Sequence, residues 1–201
     1  MLFIFDMGGV VTNTAGKVLD QEVAERIGIS VKEFYDFCKK GTEQDMLKAL
    51  EIGRIDTALF WKEFSANSGK NVCTDWFRIL FHPVLIRETV EVIDHLKTVG
   101  DVRLVCGTNT IESHYDNHIS RGDYALFDMT YASHHMGVAK PDPLFFSMIL
   151  DAEGVSPEDA FFVDDKIENC NAASSLGIRT CVFKNGGELM VQAKAFIENR
   201  R

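Results

Sequence analysis

The sequence predicts an α/β fold: a doubly wound, mainly parallel sheet with an inserted all-helical cap. Three observations carry that prediction. Short apolar runs, Leu2-Phe3-Ile4-Phe5, Val102-Arg103-Leu104-Val105-Cys106 and Ala160-Phe161-Phe162-Val163, each end at a polar or glycine-containing stretch, as strands buried on both faces do. From Leu85 onward such runs alternate with amphipathic stretches of helical period, the pattern of successive βαβ units. Between the first run and the second, residues from about 15 to 82 carry helical patterns only. They read most simply as a cap inserted after the first strand and lying over the strand ends. The expected division is 1–14 and 83–201 for the core and 15–82 for the cap.

Taken in order, the first strand runs straight into Asp6, and Gly8 and Gly9 follow. A carboxylate at the C-terminal end of a parallel strand sits where open α/β sheets bind ligands. Two glycines let the backbone turn sharply and approach a ligand closely. Alone, an Asp-x-Gly-Gly is equally a surface turn, so Asp6 needs support from elsewhere. In the insert, Leu19, Val23 and Ile27 recur at helical spacing, and Ser30-Val31-Lys32-Glu33 is a capping box before Phe34 and Phe37. Met46, Leu47 and Leu50 form a third stripe. Asp56 is placed to cap a helix with Leu59, Phe60 and Phe64, and Thr74 one with Phe77 and Leu80, before His82-Pro83 breaks the run. Phe34, Phe37, Trp61, Phe64 and Trp76 read as the core of this small unit rather than as ligand contacts.

Beyond the insert, Leu85 to Val99 reads as a helix with Val92, Ile93 and Leu96 on one face and Gly100 as its stop. A strand at 102–106, a helix from about Glu112 and a strand at 128–131 follow. Asp142-Pro143 opens a helix by cap and N1 proline, and Gly154 closes it. A strand at 160–163, a helix through Ala172, Ala173 and Leu176 up to Gly177, a strand from Arg179 to Phe183 and a helix with Met190, Ala193 and Ile197 complete the chain.

Composition excludes several classes of function. The chain of 201 residues has a net charge of −9 and no run of Lys or Arg, so nucleic acid and anionic membranes are poor partners. At this length it buries roughly 70% of its unfolded surface and needs no staples. Five cysteines, Cys38, Cys73, Cys106, Cys170 and Cys181, are scattered with no C-x-x-C pair. They read as reduced thiols of a cytoplasmic protein, with Cys106 and Cys181 as buried small hydrophobes. No stretch has the form of a signal peptide or the length of a membrane span. The oligomeric state stays open.

Three further stretches lie at strand ends or helix starts on the side of the sheet that carries Asp6. Cys106-Gly107-Thr108-Asn109-Thr110 offers a hydroxyl and backbone N–H groups suited to a phosphate oxygen. In Lys140-Pro141-Asp142-Pro143, Pro141 fixes the backbone beside an otherwise ordinary lysine. Asp164-Asp165 ends an apolar strand, and paired carboxylates repel unless a cation or a set of donors holds them. With Asp6 across the gap, a hard divalent ion bound by oxygen is the economical answer.

In this order and spacing, the four stretches resemble the haloacid dehalogenase superfamily of aspartate-nucleophile phosphatases, whose Rossmann-like core carries a helical cap after the first strand. The resemblance implies that Asp6 is the nucleophile and forms an aspartyl-phosphate. It implies phosphate binding by Thr108 with Asn109 beside it, and charge neutralisation by Lys140. Mg²⁺ would be held by Asp6, the Gly8 carbonyl and Asp165, with Asp164 as neighbour and Asn169 four residues on. Most phosphatases of the family carry a second Asp as general acid and base where this chain has Gly8. Asp6-Met7-Gly8-Gly9-Val10 is similar to the glucose-1-phosphatase-like branch, which also has Gly there. The expected substrate is therefore a small phosphate ester, first a sugar phosphate. Alternatives are a catalytically weak binding module on the same fold, a phosphotransferase or a dehalogenase. His114, His134 and His135 are the histidines near enough in sequence to replace the missing acid, with His134 and His135 placed on a loop.

Overall fold

In the computed structural model, which describes residues 1–13, 16–39 and 45–200, five strands form one parallel sheet. The expected core–cap boundary at residues 14 and 15, and residue 201, lie outside the described residues. The strands are β1 (Leu2–Phe5), β2 (Arg103–Thr108), β3 (Met129–Ala132), β4 (Ala160–Asp164) and β5 (Arg179–Val182), in the order β3-β2-β1-β4-β5. Leu2 pairs with Arg103 on one side and Ala160 on the other. The chain runs outward from β1 to β3, then crosses back to β4 and β5 on the other side. The C-terminal ends of β1 and β4 therefore flank the switch point, where sheets of this kind bind ligands.

Helices α1 (Gly16–Ile27), α2 (Val31–Lys39), α3 (Met46–Glu51), α4 (Thr57–Ser68) and α5 (Trp76–Leu80) lie between β1 and β2, followed by α6 (Arg87–Lys97). Then come α7 (Glu112–Arg121), α8 (Ser133–Met136), α9 (Pro143–Glu153), α10 (Ile167–Ser175) and α11 (Gly186–Glu198). Among the described residues, none of these helices is long and apolar enough to cross a membrane.

Strand alternation divides the sheet into two cores. Phe3, Phe5, Leu104, Cys106, Phe161 and Val163 pack with Val92, Ile93 and Leu96 of α6 and Leu189, Ala193 and Phe196 of α11. Leu2, Ile4, Val105, Ala160 and Phe162 pack on the opposite face with Phe145, Phe146 and Ile149 of α9 and Cys170 and Ala173 of α10. Every residue of β1 is fully buried, which explains why the run is continuously apolar and not alternating. The insert has a third core of its own, built on Leu19, Val23, Phe34, Phe60, Phe64 and Phe77. Rings dominate it: Trp61 and Phe77 lie 4.8 Å apart, and Phe34 and Phe64 lie 5.4 Å apart. The insert's aromatics are thus its packing, as their spacing predicts, with Phe37 and Trp76 at the edge of the cluster.

Several local expectations hold in detail. Ser30 N donates to Glu33 Oε2 at 2.8 Å while Glu33 N donates to Ser30 Oγ at 3.2 Å, which is the capping box. Leu59 N donates to Asp56 Oδ1 at 2.7 Å, and Asp142 caps α9 with Pro143 behind it. Other expectations are corrected. Asp75, not Thr74, caps α5. Its carboxylate accepts from Arg78 N at 3.2 Å, Trp61 Nε1 at 3.1 Å and Ser113 Oγ at 2.6 Å, three donors that one hydroxyl cannot serve. The helix expected from Leu85 begins at Arg87, because Leu85 bridges to Thr12 and Ile86 N donates to Val11 O at 2.8 Å. His134 and His135 lie on a one-turn helix, α8, and not on a loop; Gly137 stops it in the left-handed conformation. Finally β2 and β4 continue to Thr108 and Asp164, past their apolar runs, since parallel neighbours go on supplying hydrogen bonds there.

The insert meets the core at α7 and α8. Ser133 Oγ donates to Glu51 O at 2.6 Å, and Thr57 Oγ1 lies 3.0 Å from Ser113 Oγ. Gly53 has φ +66°, and a Cβ there would stand 2.0 Å from the His134 carbonyl oxygen. Gly53→Ala is therefore expected to lose roughly 2–5 kcal/mol, from left-handed strain plus displaced backbone. Gly69→Ala has similar strain, at φ +70°, but meets nothing within 4 Å and is expected to lose only about 1–2 kcal/mol. Urea unfolding of both variants checks this, and equal losses would show that the Gly53 turn is not pressed against α8.

Candidate active site

Asp6 leaves the end of β1 with its N–H donating to Val163 O at 2.9 Å. That bond holds the backbone in the sheet and leaves the carboxylate at the switch point. Lys140, on the turn before α9, places its Nζ 2.8 Å from Asp6 Oδ1 and 2.7 Å from Asp164 Oδ2. All three residues are buried. Asp164 also accepts from Asn169 Nδ2 at 2.9 Å and Lys166 N at 2.8 Å. A buried charge persists only when paired and hydrogen-bonded, and here each partner supplies that condition for the next.

The charge balance is negative. Asp6, Asp164 and Asp165 each offer a carboxylate oxygen, and these lie within 4.8 Å of one another. Burial lifts the Asp6 carboxyl to about 6; Lys140 opposes the rise and Asp164 adds to it. Burial, and then Asp164, raises Asp165 too. On Lys140 burial acts downward, but the two carboxylates outweigh it and hold the ammonium above its ordinary value. Asp165 Oδ1 is buried without a hydrogen-bond partner. Gly9, at φ +87°, comes so close that a Cβ would lie 2.6 Å from Asp165 Cγ; only glycine permits this approach. An all-oxygen donor set with one orphaned oxygen suits a hard divalent cation.

Other predicted residues converge on the same place. Thr108 ends β2, is 3% exposed, and lines a cavity of about 260 Å³ together with Asp6, Gly8, Asn109, Lys140 and Asn169. Asn109, expected beside a phosphate, has a further task. Its Nδ2 donates to Lys140 O at 2.9 Å and its Oδ1 accepts from Lys140 N at 2.8 Å, clamping the lysine peptide from both sides. Nothing lies within 4 Å of a Cβ built on Gly8, so the place of a side chain there is open.

The insert contributes Leu19 and Asp20 to the cavity wall, and α7 contributes His114. The sequence gives no sign of Asp20, because its position depends on how the insert docks. Of the three histidines considered as acids, His134 and His135 line a different cavity, beside Gly53 and Tyr115. His114 stacks on Phe81 with centroids 3.9 Å apart, and burial lowers its pKa to about 3. It is a neutral imidazole, not a ready proton donor.

Fold and site together define a capped α/β fold organised around a strand-end carboxylate. The sequence profile of the haloacid dehalogenase-like hydrolases matches residues 1–177, and the chain belongs to that family. A family enzyme of Bacteroides thetaiotaomicron, solved in complex with magnesium and inorganic phosphate, is similar with a TM-score of 0.74 and 26% identity, covering 92% of this chain and 94% of that one. The GMP/IMP nucleotidase YrfG of Escherichia coli (strain K12) is 23% identical over 189 residues, 89% of this chain and 80% of the nucleotidase. Drimenol cyclase drtB of Aspergillus calidoustus is 31% identical over 119 residues, 54% of this chain. The chain spans 22% of the length of that cyclase and 17% of another long curated relative.

His114 gives a pH test of the packing around the cavity. Its folded pKa of about 3 lies below the ordinary 6.5, so the unfolded chain takes up the proton first as pH falls. The contribution to stability is complete above pH 6.5 and is lost as pH falls toward 3. His114→Phe, which keeps a ring against Phe81, is expected to flatten the fall in urea stability between those limits. An unchanged slope would mean that His114 is not held neutral in the folded protein.

Proposed function

We propose that this chain is a Mg²⁺-dependent phosphatase that hydrolyses a small phosphorylated metabolite through an aspartyl-phosphate on Asp6. The observation that carries the reading is the Asp6 carboxylate, 2.8 Å from the Lys140 ammonium and inside a cluster of carboxylates at the sheet's switch point. In the first step an Asp6 oxygen attacks phosphorus and the bond to the leaving oxygen breaks. In the second, water attacks phosphorus, the bond to Asp6 breaks, and inorganic phosphate leaves. Lys140 stays charged, because two carboxylates hold its proton, and so neutralises charge that develops on the phosphoryl oxygens. Thr108 donates its hydroxyl to the phosphoryl group, and Asn109 keeps Lys140 in place and borders the phosphate.

Asp6, the Gly8 carbonyl and Asp165 would hold the metal. Asp164, grouped with them by the resemblance, has its oxygens engaged by Lys140, Asn169 and Lys166 N, and we assign it to anchoring Lys140. When bound, Mg²⁺ supplies positive charge to the carboxylate cluster and to the phosphoryl oxygens. The solved Bacteroides enzyme in complex with magnesium and inorganic phosphate supports this assignment.

Residues 15–82 act as the cap, closing over the phosphoryl site with Leu19 and Asp20 in its wall. A cavity of about 260 Å³ is at the small end for ligand sites and favours a compact leaving group. A sugar phosphate is such a group, and the resemblance of the Gly8 pattern to the glucose-1-phosphatase-like branch supports that choice.

Phosphate release from a panel of phosphorylated sugars, nucleotides and simple esters tests the reading. Turnover is expected with Mg²⁺ and is expected to disappear in excess chelator. Asp6→Asn should fall to background, and Lys140→Ala should lower kcat by about 10²–10³ as well as raise KM. Substantial turnover by Asp6→Asn would remove the covalent step. A wild-type protein that binds Mg²⁺ yet hydrolyses none of the esters would point to the binding-module alternative.

A further inference from the structure

The phosphatase reading leaves one chemical role without a residue. Gly8 has no side chain, and the space where its Cβ would stand is open to 4 Å. A leaving alkoxide still needs a proton. Three of the groups around the nucleophile do not supply it readily. Lys140 is held between two carboxylates, His114 is neutral, and Asp20 is engaged by the hydroxyl of Tyr35.

The insert brings one more carboxyl group to this place. Glu51 is the last residue of α3 and is half-buried. Ser133 Oγ holds its carbonyl at 2.6 Å, and Gly53, two residues on, is pressed against the His134 carbonyl. The turn carrying Glu51 is thus fixed to the core. Its carboxyl group lies within the electrostatic reach of Asn109, Lys140 and Lys166 of the core, with Lys48 on its own helix. Asn109 is the residue that clamps the Lys140 peptide. Glu51 lines a cavity with Asp20, Asn109, Thr110 and His114, and those four also line the cavity that holds Asp6. The two spaces share that wall.

We propose that Glu51, delivered by the cap, is the proton donor to the leaving oxygen and the base for the attacking water. In the first step the Glu51 proton passes to the leaving oxygen as its bond to phosphorus breaks and the bond from Asp6 forms. In the second the Glu51 carboxylate takes a proton from water as that water attacks phosphorus and Asp6 is released. The group ends protonated, as it began. Burial raises this carboxyl above its ordinary value, with Lys166, Asn109 and Lys140 opposing. A phosphoryl dianion beside Lys140 would raise it further. A carboxyl group that only tied the cap to the core would affect all esters alike. A proton donor affects those whose leaving oxygen is basic.

The test compares wild type with Glu51→Gln, which keeps shape and hydrogen bonding, on alkyl phosphates and on p-nitrophenyl phosphate, in Mg²⁺. The expected result is a loss of about 10² in kcat/KM on alkyl esters and less than about threefold on the aryl ester. Adding Gly8→Asp to the Glu51→Gln protein should restore much of the alkyl activity, since the open space beside the nucleophile then carries an acid. Equal losses on both ester types, or no loss, would overturn the proposal. Melting temperature monitors folding, and Glu51→Asp serves as a second variant, with a smaller alkyl-selective loss expected and its absence counting against the proposal. Wild-type turnover that depends on Asp6 but shows no alkyl-selective loss in the Glu51 variants removes this inference alone. A wild-type protein inert on every ester removes the phosphatase reading and this inference with it.

Discussion

The site depends on one buried ammonium. Lys140 Nζ stands 2.8 Å from Asp6 and 2.7 Å from Asp164, and none of these charges could remain in the sheet's interior without the others. Losing one partner of such a set typically destabilises by roughly 3–5 kcal/mol, because a charge is left buried and unmatched. The surrounding structure serves this arrangement. β1 and β4 are adjacent and parallel, so Asp6 and Asp164 arrive side by side. Asn109 grips the Lys140 peptide, and Asn169 and Lys166 N use acceptor capacity of Asp164 that the ammonium leaves. Fixed charges of this kind lose little to reorganisation when charge develops during a reaction.

The negative excess has a consequence beyond stability. Three carboxylates face one ammonium, and one Asp165 oxygen is buried without a donor. Proteins seldom leave a buried polar oxygen in that state. The same excess that would be costly by itself makes the place a receptor for a hard cation, and Gly9 makes room for the Asp165 carboxylate that completes it. Around this fixed core, the insert supplies the outer wall. Its own ring-packed interior keeps it rigid, while contacts at Glu51, Gly53 and Thr57 seat it on α7 and α8. A rigid unit seated on the core in this way is well suited to shaping access without disturbing the charges beneath.

The core fold was legible because each strand is buried on both faces and so is apolar at nearly every position, while each helix shows one apolar stripe. Signals that are local in the chain correspond to the structure: the Ser30 capping box, the Asp56 cap, and Asp142 with Pro143. Signals that depend on distant partners mislead. Asp75 displaces Thr74 as a cap because Trp61 and Ser113 also bind its carboxylate. Leu85 leaves its helical pattern because Thr12 lies beside it. The turn holding His134 and His135 is helical over a length too short to show a period.

By itself, the sequence determined which residues gather at the switch point. Asp6, Thr108, Lys140 and the Asp164-Asp165 pair each follow an apolar strand or precede a helix, and parallel strands all end on one side, so periodicity was enough to bring them together. Only the tertiary structure decided how they divide the work. The order of strands sets Asp164 against Lys140 and leaves Asp165 with a free oxygen, and the fold of the β2 loop turns Asn109 toward the Lys140 peptide. Docking of the insert chose Asp20 and Glu51 for the cavity walls. No local pattern encodes that choice, because it depends on where a separate hydrophobic core comes to rest on the sheet.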